Sequence, residues 1–368
     1  MKLLDIERDT LLKPLQAVSG IVERRHTLPI LSNVLLEAAA KDLKLLATDL
    51  EIQVATRTSL SKSANSHAIT VSARKLQDIL RSLPEATTLS LESQDSKLVL
   101  RAGKSRFNLQ TLPAEDFPRL AEGTGEATSI SVSQKNLKRM LQLVQYAMAQ
   151  QDIRYYLNGL LLLVEEDKLT LVATDGHRLA YISTTLEGKH PRAEAILPRK
   201  AVLEMVKLLS DSEDSVDLQI QQNQVRSRFD SVDLLSKVVD GKFPDFTRVI
   251  PTNPPGRFVI SRIELQQALQ RASILSNEKF RGVRWVLTKN LLRIVCTNAE
   301  QEEAEEELEV DYAGEPLDIG FNVTYLLDVL NNLSADQIEC ALGDANSSML
   351  MTVPGDKNFK YVVMPMRI

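Results

Sequence analysis

The stretch LTLVATDGHRLAY, residues 169 to 181, has two counterparts elsewhere in the chain, LKLLATDLEIQVA at 43 to 55 and LRIVCTNAEQEEA at 292 to 304. Aligning them places Thr48, Thr174 and Thr297 at one position, 126 and 123 residues apart. A second marker keeps that period: the amphipathic segments LQDILRSL (76 to 83), VLEMVKLL (202 to 209) and LLDVLNNL (326 to 333) are spaced by 126 and 124. A third sets Phe117-Pro118 in LPAEDFPRL against Phe243-Pro244 in VVDGKFPDF, again 126 apart. Self-similarity at a fixed period is the signature of repeated structural units. The chain therefore reads as three copies of one unit.

The joints fall where such a period puts them. AEGTGEATS (121 to 129) and PTNPPGR (251 to 257) are rich in Gly, Pro and small polar residues, the composition of short linkers. Three domains result, at residues 1–122, 128–250 and 256–368. Each copy is expected to begin with a helix, because Ser261-x-x-Glu264 is a capping box and Ser133 can cap QKNLKRMLQLVQ. Strands come next: in DLEIQVAT, Leu50, Ile52 and Val54 alternate with Glu51, Gln53 and Ala55, a period of two. Leu76, Ile79, Leu80 and Leu83 then mark one apolar face of a second helix. The fold class is α+β, with two helices packed on antiparallel sheet, three times over.

Composition excludes several classes of protein. The 368 residues are 43% hydrophobic with a formal net charge of -5, so the total charge compels neither a nucleic-acid nor a membrane partner. The longest apolar run, NGLLLLV at 158 to 164, is far too short to span a bilayer, and MKLLDIERDT is too charged for a signal peptide. With Cys296 and Cys340 as its only cysteines, the chain is expected in the reducing cytoplasm. No metal is expected, since His26, His67, His177 and His190 show no ligand spacing. Nor is a cofactor, because no phosphate-cradling or dinucleotide-binding glycine loop is present. One enzymatic alternative is a hydrolase-type site with Asp175 and His177 as an acid/base pair. The repeat argues against it: Asp49 stands at the equivalent position without a histidine, and the third copy has Asn298.

The outward helix faces carry cations. Lys135, Lys138, Gln142 and Gln145 form one stripe; Arg74, Lys75 and Arg81, then Arg199, Lys200 and Lys207, lie on second helices; Arg262 and Arg271 lie on the first helix of copy three. Asp328 in TYLLDVLNNL is the exception. Cations on like helices suit a surface that follows a polyanion without reading its sequence. Six helices of ~10 Å width lining a closed ring give a centreline of only ~19 Å; twelve, from two chains, give ~38 Å and room for a duplex. A dimer needs complementary ends. GKSRFNLQ offers a cationic face through Lys104 and Arg106 and an apolar one through Phe107 and Leu109. EQEEAEEELE, with Glu300, Glu303 and Glu306, reads as an acidic edge strand, and Ile274 with Leu275 as an apolar anchor. Joined between chains these ends make a head-to-tail contact, and two such contacts close a ring. A DNA-independent repeat scaffold that binds proteins only is the remaining alternative.

The same residues resemble the bacterial sliding clamp family across essentially the whole chain. ERDTLLKPLQAVSG, TLPIL, RYYLNG, VATDGHRLA, SNEKFRG, NAEQEEAEE, GFNVTYLLDVLN and YVVMPMRI look like that family, in its order. The resemblance implies a three-domain clamp fold, a homodimeric ring around double-stranded DNA without sequence preference, and no catalysis. It implies a clamp loader ATPase that opens the ring. Replicative and translesion DNA polymerases and repair proteins would then bind through short motifs. Family positions that touch DNA fall on Arg25, Arg74, Gln151, Tyr155 and Tyr156, of which Arg25 rests on aligning VERRHT to TLPIL. The family's peptide pocket falls on Leu157, Thr174, Gly176, His177, Arg178, Leu179, Pro244, Val249, Val362, Met364, Pro365, Met366 and Arg367. Methionines suit a pocket with many clients, because the flexible thioether repacks around different anchors.

Overall fold

The computed structural model describes residues 2–23, 28–123 and 125–368. The first repeat runs β1 (Lys2–Glu7), α1 (Arg8–Ser19), β2 (Asn33–Thr48), β3 (Ile52–Ser72), α2 (Ala73–Ser82), β4 (Thr88–Gln94), β5 (Lys97–Ala102) and β6 (Ser105–Leu112). The second has the same plan: β7 (Thr128–Ser133), α3 (Gln134–Val144), β8 (Gly159–Thr174), β9 (Arg178–Pro198), α4 (Arg199–Leu208), β10 (Ser215–Ile220), β11 (Gln224–Phe229) and β12 (Val232–Lys237). The third has β13 (Gly256–Ser261), α5 (Arg262–Ala272), β14 (Gly282–Thr288), β15 (Leu291–Thr297), β16 (Glu303–Glu309), β17 (Leu317–Asn322), α6 (Val323–Asn332), β18 (Gln337–Leu342), β19 (Met349–Val353) and β20 (Asp356–Val363). Its two extra strands arise because each long strand of the earlier copies is divided in two. The division between β14 and β15 falls at a position that is irregular in all three copies: Ala40, Glu166 and Asn290 all have positive φ, with register shifts in β2 and β8 and a turn after β14.

A strand, not a helix, opens each repeat. β1, β7 and β13 pair antiparallel with β4, β10 and β18. Six residues with two or three buried apolar side chains give a weak period of two, easily overshadowed by the helix caps just after them. Those caps are present: Ser133 Oγ accepts the Asn136 N–H and Ser261 Oγ the Glu264 N–H. On α2 the apolar face is real, with Leu76 and Leu80 fully buried.

By compactness the chain divides into two units, residues 1–137 with 200–238 and residues 138–199 with 239–368. The division cuts across the repeats because strands of consecutive repeats pair. In the first unit β12 pairs with β3, from Val232↔Thr56 to Ser236↔Ile52, so one sheet runs β1-β4-β5-β6-β3-β12-β11-β10-β7. In the second, β20 pairs with β9, from Phe359↔Ile182 to Val363↔Arg178, within the sheet β13-β18-β19-β20-β9-β8. The remaining strands form a four-stranded sheet, β16-β15-β14-β17. The two cross-repeat junctions use equivalent strands.

The repeated threonine and aspartate build one turn. Thr48 donates to the Ile52 carbonyl at 2.9 Å and accepts the Leu50 N–H; Thr174 donates to the Arg178 carbonyl at 2.6 Å and accepts the Gly176 N–H. Asp49 Oδ1 accepts the N–H groups of Glu51 and Ile52, and Asp175 Oδ1 those of His177 and Arg178. Asn298 does the same for Glu300 and Glu302 with its amide oxygen. Leu50 belongs to this turn, at φ +77°, and not to the strand that its alternation with Ile52 and Val54 suggests; its counterpart Gly176 has φ +91°. The free oxygen of Asp49 takes the Lys200 ammonium at 2.5 Å.

Asp49→Ala removes the acceptor of two backbone N–H groups and a half-buried charge partner, and should lower unfolding stability by about 2 kcal/mol. Asp49→Asn keeps the acceptor and should lose less than half of that, read from urea unfolding midpoints.

Candidate functional site

A cavity of about 160 Å³ opens against β8, β9 and β20 in the second unit, lined by Arg154, Tyr156, Leu157, Thr174, Gly176, Arg178, Leu179, Pro244, Phe246, Val249, Val362 and Met364. Its floor is an apolar cluster that includes Leu161, Val172, Leu179, Tyr181, Phe243 and Val362. Equivalent residues of the first repeat, Leu35, Leu46, Ala55 and Phe117, make a smaller cluster of the same design. The Phe-Pro motif explains itself here: Phe243 packs into the floor while Pro244 forms part of the wall.

Two features hold the wall next to Gly176. At φ +91° a side chain would be strained, and a Cβ there would meet Arg154 Nη2 at 3.0 Å. Arg154 is held by Asp152, whose carboxyl it lowers to about 2, and also reaches the Asp175 carbonyl. Asp152 and Asn158 exchange hydrogen bonds that staple this loop.

Arg178 does not present a cation to the cavity. Its Nε donates to Asp175, Nη1 to Asp328 at 2.5 Å and Nη2 to the Tyr146 carbonyl at 2.6 Å, while the guanidinium lies over the rings of Tyr325 and Tyr146. Burial disfavours its charge, yet Tyr361, Asp328 and Asp175 hold its pKa above the ordinary arginine value. The anionic exception on α6 thus has a structural reason: Asp328 is the counter-ion of a buried arginine. The same geometry disposes of an acid/base pair, because both Asp175 oxygens are taken by backbone amides and Arg178.

Of the thirteen residues expected around a peptide pocket, nine line this cavity. His177 is exposed and contributes its carbonyl, which accepts the Met364 N–H. Pro365, Met366 and Arg367 lie beyond the lining: the tail turns onto β17, where the Met366 N–H donates to the Gly320 carbonyl. A Cβ on Gly320 would meet the Met366 carbonyl oxygen at 2.5 Å, so glycine is what lets the tail lie there. Arg154, Tyr156 and Phe246 line the cavity but were not expected to. Phe246 sits two residues after Pro244, the one signal that could have found it.

The residues expected at DNA fall on α2 and on the loop that precedes β8. Arg25 lies outside the described residues. Arg74 is exposed on α2, near Asp78. Gln151, at φ +58°, and Tyr155, 74% exposed, project from the stapled loop, whereas Tyr156 is half-buried in the cavity wall. Most of the supposed cation stripe is already engaged. Lys200 binds Glu23 and Asp49, Lys207 binds Glu204, Lys135 binds Glu213, and Arg271 binds Glu306. Arg199 donates to the carbonyls of Gln145 and Met148, and Arg262 to those of Ala335 and Leu330. Gln145 lies past the end of α3 in a short 3-10 turn. Helical periodicity identifies the outward face but not the partner that meets it.

The expected interface residues occupy the strands β6 and β16, a turn before each, and the short 3-10 helix Ser273–Leu275. Arg106, Phe107 and Leu109 are in β6, and Lys104 is in the turn before it. Glu303 and Glu306 are in β16, while Glu300 sits in the turn built by Asn298. Ile274 is 78% exposed, beside a half-buried Leu275.

Among the described residues no helix is long and apolar enough to cross a membrane. Family models of the DNA polymerase III beta subunit match the chain throughout: its N-terminal domain at residues 1–121, its central domain at 131–245 and its C-terminal domain at 247–367. The beta sliding clamp of Pseudomonas putida is 48% identical over 364 residues, 99% of each chain, and that of Escherichia coli K12 is 45% identical over 363, again 99% of each. A crystal structure of the Pseudomonas aeruginosa sliding clamp bound to griselimycin matches with a TM-score of 0.96 at 47% identity over all of both chains. The Caulobacter crescentus polymerase III beta structure matches at 0.92 and 40%, also over both whole chains. The chain belongs to the beta sliding clamp family, the beta subunits of DNA polymerase III.

Proposed function

We propose that two copies of this chain close head to tail around duplex DNA, with clamp domains at 1–122, 128–250 and 256–368, and act as a non-catalytic processivity factor in the cytoplasm. One observation carries the ring. At both junctions within the chain, the strand that starts after the aspartate turn pairs with the last strand of the next repeat: β3 with β12, and β9 with β20. By the same rule β16 requires a strand equivalent to β12 and β20, which is β6. Among the described residues β16 pairs only with β15, and β6 meets β3 only at Thr111 and Leu112. The free edge of β6 in a second copy, whose other edge pairs with β5, completes the pattern, and symmetry then demands two such contacts.

Charge and apolar surface support the join. Lys104 and Arg106 approach from one side; Glu303, Glu307 and Glu309 on the other have no ion-pair partner among the described residues. Ile274, the exposed side chain beside β16, supplies the apolar anchor. Arg74, Gln151 and Tyr155, with Arg25, are the candidates for DNA, through phosphate contacts that carry no sequence information. A loader ATPase is then required to open the ring.

The cavity takes short apolar motifs of client proteins, the polymerases, loader and repair proteins among them. Its small volume suits one or two apolar side chains, and Met364 and Val249 can repack around different ones. Tyr156 belongs with this cavity. Griselimycin, bound by a relative, is a ready competitor for it.

With loader and ATP, the protein should stay on closed circular duplex through gel filtration and leave when the circle is cut; equal retention on both forms would refute encirclement. Ile274→Ala with Leu275→Ala should give a monomer by sedimentation, and an unchanged dimer mass would remove that anchor. Met364→Ala should weaken a fluorescent peptide bearing the polymerase's clamp-binding motif by about tenfold, the loss of one buried apolar contact.

A further inference from the structure

Tyr181 is where the cavity floor departs from its copy in the first repeat, which has Ala55 at that position. Its ring, only 8% exposed, receives two ammonium groups: Lys168 Nζ lies 5.7 Å and Lys360 Nζ 5.4 Å from the centroid. They come from the two strands that flank β9. Lys360 of β20 is directly opposite Tyr181, and Lys168 of β8 lies beyond the Thr170↔Ser183 pair. Ser183, Lys168 and Thr170 lie against the phenol; burial alone would raise its pKa, and these neighbours bring it below the ordinary value. Neither lysine has a carboxylate within ion-pair distance among the described residues. The positions equivalent to Lys168 and Lys360 in the first junction are Asp42 and Asp233, so this cationic pair belongs to the second junction alone.

The pair adjoins the cavity. Phe246 lines the cavity and packs its ring 6.0 Å from that of Tyr181. On the other side a groove of about 610 Å³ includes Ile250, Leu350, Phe359 and Lys360 in its lining; Val249 borders the cavity and Ile250 the groove. A chain leaving the cavity over Phe246 therefore meets the lysines, and at ~3.3 Å per extended residue it does so after about two to four residues.

We propose that Lys168 and Lys360 are an anion seat for the cavity's own peptide, receiving a glutamate or aspartate two to four residues from the apolar side chain that fills the cavity. The proposal rests on the peptide-pocket reading above and adds a rule of client selection to it: acidic flanks are favoured and basic flanks opposed. Because the seat is exposed on one side, its contribution is electrostatic and salt-sensitive.

The test uses two fluorescent peptides bearing the same polymerase motif, one with alanine flanks and one with glutamates two to four residues from the motif on both sides. Anisotropy titrations compare the wild-type dimer, Lys168→Ala with Lys360→Ala, and Met364→Ala. The acidic peptide should bind wild type about fivefold tighter at low salt. That advantage should vanish in 0.5 M salt and in the double lysine variant, which should bind the alanine peptide as wild type does. No advantage in wild type, an advantage that survives loss of both lysines, or equal weakening of both peptides by their loss would overturn the seat. The Met364→Ala response of the alanine peptide reports on the pocket separately: if that peptide binds the variant undiminished, the pocket reading fails, whatever the lysines do. A further arm with inorganic phosphate as competitor distinguishes a general anion site: displacement of the acidic peptide alone supports the seat, and displacement of both overturns it.

Discussion

A strand at the edge of a sheet carries a row of backbone N–H and C=O groups that must be paired, covered or made repellent. In this protein that constraint decides how the repeats connect. Each copy ends its sheet on a strand that the next copy must complete, and the chain meets the requirement twice, at β3 with β12 and at β9 with β20. At the third position, β16, no such strand is paired among the described residues, and the proposed second chain supplies it. The division of the chain into compact units that ignore the repeat boundaries is the same fact seen from within: strand pairing binds neighbouring repeats as closely as it binds each repeat to itself.

The turn that starts these junction strands also places the site. Thr174 and Asp175 close the turn as Thr48 and Asp49 do, by accepting backbone N–H groups. Beyond that shared turn the two copies diverge. In the first copy the turn aspartate reaches Lys200; in the second its free oxygen turns back to Arg178, which spans to Asp328. Gly176 then leaves room for Arg154, and a cavity forms beside a junction already required by the fold. A cluster of residues that suggests catalysis is accounted for by turn geometry, a buried ion network and an apolar floor.

The sequence made the threefold period and the fold class legible, because turn chemistry and repeated motifs are local signals; most of the cavity lining came instead from the resemblance to the sliding clamp family. Asp49 and Asp175 behave as turn aspartates should, and Leu76 and Leu80 are buried as their spacing requires. What it concealed was non-local. The short strands β1, β7 and β13 gain their order from pairing with strands about 80 residues away, which no window of alternation reveals. Lys200, Arg199 and Arg262 looked like free cations on helix faces, since their carboxylate and carbonyl partners lie on other elements. Phe246, Arg154 and Tyr156 reach the cavity only once the chain is folded around it. The tail residues Pro365 to Arg367 continued the motif in sequence, but Gly320 draws them away from it.

The most direct test of the account is amide hydrogen exchange along β6 and β16, comparing the assembled protein with the Ile274→Ala, Leu275→Ala variant. If the third junction is made between chains, amides of Arg106 to Gln110 and Glu303 to Glu309 that have no partner within the chain are protected in the assembly, and exchange at solvent rates in the variant. Fast exchange of those amides in a dimeric wild type would contradict it.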